Sequence, residues 1–93
     1  MDALNGGVGV TVYAVILNDP DETAWRKVRE WKQHYVLTDR IAFIATDDLT
    51  LTHEIAATIG INREGGVTGL VLESTNRAGW NDSALIEWLG KVS

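Results

Sequence analysis

Residues 8–17 read VGVTVYAVIL, an almost unbroken apolar and β-branched stretch. Polar residues do not alternate with apolar ones along it. Both faces of such a strand must be covered, which is the mark of a central strand in an α/β sheet. Met1 to Gly7 is a short lead-in to it.

Working outward, Asn18-Asp19-Pro20-Asp21-Glu22 follows directly. With Asp19 at N-cap, Pro20 falls at the first helical position and Glu22 at the third, where its carboxylate reaches back to the cap amide. Asp21 and Glu22 then stand in the first turn, where the helix dipole favours negative charge. The spacing of Ala24, Val28, Trp31 and Tyr35 draws one apolar stripe and predicts a helix to about His34, supported by a Glu22–Arg26 pair one turn apart. Arg40 to Thr46 (RIAFIAT) is a second strand. A second helix, capped by Asp48 or Thr50, carries Leu51, Ile55 and Ile59 on one face and stops at Gly60. Val67 to Ser74 is a third strand, and Arg77 to Trp80 returns as a short fourth in a hairpin. Asn81 or Asp82 caps a last helix with Leu85, Ile86, Trp88 and Leu89 facing inward. The expected order is β-α-β-α-β-β-α, in a sheet with helices on both faces.

At 93 residues the chain is one domain, 1–93. Cysteine is absent, which excludes disulfides, thiolate metal sites and cysteine nucleophiles. No apolar run is long enough to span a bilayer, and Met1-Asp2-Ala3-Leu4 lacks the basic start of a signal peptide, so a cytoplasmic location is expected. A net charge of −5 argues against nucleic acid and anionic membranes as partners, because both call for a basic surface.

Several strings resemble the glutaredoxins. Val10-Thr11-Val12-Tyr13 is similar to their first strand, and Asp47-Asp48 with a helix ending Ile59-Gly60-Ile61 to the stretch before their cis-proline loop. Gly66-Val67-Thr68 with Leu70-Val71-Leu72 stands where that family reads Gly-Val-Pro-Thr and an apolar strand. Gly79-Trp80 followed by Leu85-Ile86-Glu87-Trp88-Leu89 resembles the closing hairpin and helix. The resemblance implies a minimal thioredoxin-like fold with a central mixed sheet. It does not extend to the chemistry. Where the family carries Cys-x-x-Cys this chain reads Asp19-Pro20-Asp21-Glu22, and Thr68 replaces the cis-proline. A cis bond before a non-proline residue costs about 3 kcal/mol, so the Val67–Thr68 peptide is expected to be trans. Thiol–disulfide exchange is impossible without a thiol.

These features point to a redox-inactive module that binds a protein or peptide and holds no cofactor, metal or catalytic residue. Its expected surface is the carboxyl edge of the sheet: Asn18, Asp19, Asp21 and Glu22, then Gly66, Val67 and Thr68, with Trp80. A partner segment would lie against the third strand through main-chain hydrogen bonds. Two other readings stand beside it. If the first two strands run parallel, Asp19, Asp21 and Glu22 share an edge with Asp47 and Asp48, and such carboxylates hold Mg²⁺ in small enzymes; helix capping explains most of the same residues. Alternatively the chain is an assembly subunit. In either reading strand 40–46 is the outermost strand of the implied fold, and Ile41, Phe43 and Ile44 form the interface of a homodimer unless Met1 to Gly7 covers that edge in a monomer. Trp25 lies off the apolar stripe and is a further candidate anchor. His34 and His53 read as surface groups at helix ends.

Overall fold

The computed structural model describes residues 10–47, 49–74 and 79–92. Their elements are β1 (Val10–Leu17), α1 (Glu22–Val28), β2 (Gln33–Val36), β3 (Ile41–Asp47), α2 (Thr52–Ile59), β4 (Gly69–Ser74) and α3 (Ser83–Val92). The four strands form one sheet in the order β2-β3-β1-β4. Every pairing is antiparallel, in place of the mixed sheet expected. The α/β class holds, and β1 is interior as its composition demands. The first six elements run β-α-β-β-α-β, two interleaved split β-α-β units, a layout that ferredoxin-like domains also use. A layout of this kind does not name a function.

Alternation along the strands sends side chains to two faces. On one face Tyr13, Val15 and Leu17 of β1 meet Ala42 and Ile44 of β3, under Ala24, Trp25 and Val28 of α1 and Ile55 and Ile59 of α2. On the other, Val12 and Ala45 lie beneath Val92 of α3, with Phe43, Trp88 and Leu89 packed around them. Helices therefore cover both faces, but α3 covers only part of the second.

The first helix begins and ends elsewhere than the apolar stripe predicts. Asp21, not Asp19, is the N-cap: its backbone is extended, and its carboxylate accepts from the Ala24 amide at 3.0 Å. Glu22 pairs with Arg29 at 2.9 Å instead of Arg26. The helix stops after Val28, where Glu30 and Trp31 donate to the carbonyls three residues back. Residues 33–36 then form β2 and turn into β3 around Thr38, whose Oγ1 accepts from the Arg40 and Ile41 amides. His34 is thus a strand residue, with a ring nitrogen 2.8 Å from the Trp31 carbonyl oxygen.

Gly60 ends α2 with φ 99°, as its position after Ile59 predicts. The N-cap of α2 is Leu51, whose amide donates to Glu54 at 2.8 Å, in place of Thr50 or Asp48; Asp48 itself lies outside the described residues. Asp82 caps α3 by accepting from the Leu85 amide at 2.7 Å. Leu85 is buried there, while Ile86 is exposed instead of inward-facing. The expected strand at 77–80 falls partly outside the described residues, and Gly79 and Trp80 are not in a strand.

Candidate functional site

The end of the sheet after Leu17 collects two of the expected binding segments. The Asn18 amide donates to the Thr68 carbonyl at 2.9 Å, which brings residues 18–22 beside 66–68. Their polar groups are largely engaged within the fold. Asp21 caps α1, and Glu22 accepts from Arg29. Val67 packs on the core, and its amide donates to the Gly60 carbonyl at 3.2 Å. Gly66 takes φ 79°, a left-handed conformation that favours glycine. Asp19 is exposed. The peptide between Val67 and Thr68 is trans. Trp80 is 94% exposed.

Asp47 does not meet Asp19 and Asp21, and Asp48 lies outside the described residues. β3 runs antiparallel to β1, with Asp47 opposite Val10, so Asp47 lies at the far end of the sheet from Asp19 and Asp21. The length of β1, about 23 Å for a rise of seven strand residues, stands between them. The Asp47 carboxylate accepts instead from the Leu49 amide and the Thr50 hydroxyl. Among the described residues no group of three His, Asp or Glu side chains is arranged to hold a metal ion. No helix among them is long and apolar enough to cross a membrane.

Strand 40–46 is not an outer strand either. β2 occupies one side of β3 and β1 the other. Ile44 is fully buried under the helices, Phe43 packs beneath α3, and Ile41 is half-buried opposite Ile16. A homodimer through Ile41, Phe43 and Ile44 has no free strand edge to use. Trp25, the other proposed anchor, belongs to the core at 3% exposure, and its Nε1 donates to the Asp39 carbonyl at 2.8 Å.

Among the described residues the edges of the sheet are β2 and β4. The four-residue β2 is short, and its Tyr35 stacks at a tilt on Trp88 of α3. β4 is the more exposed edge. In an antiparallel ladder alternate residues turn both N–H and C=O to the same neighbour. The Asn18–Thr68 bond fixes that phase, and Leu17, one residue earlier, turns its amide the other way, to Arg40 just before β3. Leu70, Leu72 and Ser74 therefore bond to β1, whereas Gly69, Val71 and Glu73 turn their main-chain groups outward. The strand contains neither proline nor lysine, the residues that commonly blunt an edge.

Both faces of this edge offer a surface. On the helical side a groove of about 550 Å³ runs between β4 and α2, bordered by Leu51, His53, Ala56 and Ile61. On the other side Leu70 and Leu72 are 61% and 48% exposed beyond the reach of α3, next to Ile16. Sequence reading found the strand but not its position. The repeated Leu-x-Leu reads as a buried strand, and only the pairing partners reveal that one side is open.

No family model, curated protein or solved structure matches this chain.

Proposed function

We propose that the protein is a non-enzymatic binding module that accepts an extended protein or peptide segment as a fifth strand along β4. One observation carries the reading. β4 turns the main-chain groups of Gly69, Val71 and Glu73 outward, and an apolar surface flanks them on each side. Main-chain bonds supply affinity in this mode, and pockets for alternate side chains supply specificity. Along a bound segment, one set of side chains would enter the groove against α2. The other set would cover Leu70 and Leu72. The preferred segment is therefore apolar at every position or every second position. The local strings shared with glutaredoxin-type domains are not needed for this reading, and the separation of Asp19 from Asp47 removes the support for a carboxylate-based enzyme.

The test is selection of extended peptides from a displayed library, followed by amide hydrogen exchange on the complex. Binding is expected to slow exchange at Val71 and Glu73, and Val71→Pro is expected to weaken it at least tenfold. Proline at this position removes an outward donor and leaves the ladder to β1 intact. A library that yields no binder, or binders whose protection lies elsewhere, would overturn the proposal.

A further inference from the structure

We propose that the segment occupying the β4 edge is β4 of a second copy of this chain, joined in a two-fold antiparallel pair centred on Val71. This rests on reading β4 as a strand acceptor and names the strand it accepts.

The register follows from the hydrogen-bond phase. Only Gly69, Val71 and Glu73 direct their main-chain groups outward, so bonds across the seam must join these residues to one another. Centring on Val71 pairs it with its own counterpart and sets Gly69 opposite the second copy's Glu73, twice by symmetry. Three bonded pairs give about six main-chain hydrogen bonds. Centring on Leu70 joins Gly69 to Val71 but leaves Glu73 opposite Val67, whose amide is already bonded to the Gly60 carbonyl. Centring on Glu73 would oppose two carboxylates, which is destabilising.

The same register matches side chains. Leu70 falls opposite the second copy's Leu72 at a non-bonded position, where side chains across a ladder approach most closely. Both leucines are exposed in the single chain. On the helical face Glu73 stands opposite Tyr13, as Val71 stands opposite Val15. The second copy's Glu73 therefore enters on the α2 side, opposite Gly69, which has no side chain to obstruct it. The groove at Gly69 is bordered by His53 of α2, whose imidazole can donate a hydrogen bond to that carboxylate. The carboxylate and the imidazole are brought together at both ends of the seam.

A five-residue strand pair with flanking leucines is smaller than a standard interface, so a reversible dimer with a micromolar Kd is expected. Sedimentation equilibrium of the full chain, read with circular dichroism, tests this. Wild type is expected to dimerise. Glu73→Lys and His53→Glu are each expected to raise Kd about tenfold, and the double variant E73K/H53E to restore it. Val71→Pro is expected to abolish the dimer. Should that variant unfold, Leu72→Lys, a change at an exposed side chain, is expected to weaken the dimer at least tenfold. A wild-type chain that stays monomeric at millimolar concentration overturns the second-copy assignment. If that monomer still binds selected peptides along β4, the strand-acceptor reading stands; if it binds none, both fall. A dimer indifferent to Leu72→Lys, Glu73→Lys and His53→Glu also overturns the assignment.

Discussion

Tyr35 holds its hydroxyl 3.5 Å from the Asp82 carboxylate, and its ring lies 6.0 Å from that of Trp88. Desolvation raises the pKa of this phenol, and the charge and hydrogen bond of Asp82 raise it further. An acid of this kind holds its proton more tightly in the folded chain than in the unfolded one. Its stabilising contribution is in place below about pH 10, and it is lost as pH rises through the folded value. Asp82→Asn separates the causes, because asparagine caps a helix about as well as aspartate and the start of α3 is kept. The Tyr35 ring signals, followed by NMR through a pH titration, are expected to move at lower pH in that variant. They should remain above the ordinary tyrosine value, since desolvation is the larger cause. An unchanged titration would mean that Asp82 does not act on the phenol.

At the scale of elements, α1 offers the sharpest measurement. Asp21 accepts a cap bond, and Asp19 is exposed two residues earlier. Asp21→Ala is expected to cost about 1 kcal/mol in urea unfolding, and Asp19→Ala less than about 0.5 kcal/mol. The reverse order would return the cap to Asp19. The sequence favours Asp19, because Pro20 then falls at the first helical position and Glu22 at the third; Asp21 is the same residue type two positions on, and nothing local marks it as the cap instead. The other end of α1 was ambiguous for a different reason. Trp31 and Tyr35 continue the apolar stripe at helical spacing, yet Gln33-His34-Tyr35-Val36 also suits a short strand. Tertiary pairing with β3 decided between them, through a turn held by Thr38. Stops and caps that depend on a single residue were legible: Gly60 ends α2, and Asp82 begins α3. The central place of β1 was legible too. The open side of β4 was not, because an apolar strand carries no local mark of whether its neighbour is protein or solvent.

Across the whole molecule, direction is what the sequence concealed. Strand periodicity has no sign, so parallel and antiparallel partners of β1 look alike until the sheet is assembled. Inserting β2 between α1 and β3 reverses β3 relative to a simple crossover. That reversal carries Asp47 away from Asp19 and shields the flank of β3. Ile44→Ala tests the interior position of β3. The side chain is fully buried, and its truncation is expected to cost about 2–5 kcal/mol. Ile86→Ala, at an exposed site on α3, should cost less than about 1 kcal/mol. Equal, small losses would place Ile44 at a solvent-facing edge.

The interior position of β1 also has a consequence during synthesis. Val12 pairs with Ser74, so β1, which meets β3 on one side, waits for its β4 partner until about sixty residues later. At roughly 5–20 residues per second that interval lasts about 3–12 s. Throughout it the side of VTVYAVIL that β4 will cover stays open, on an uncharged, β-prone segment of the kind that self-associates. A gene truncated just before Gly69 is therefore expected to give insoluble product, measured as the pellet fraction after lysis, while the full-length gene gives soluble protein.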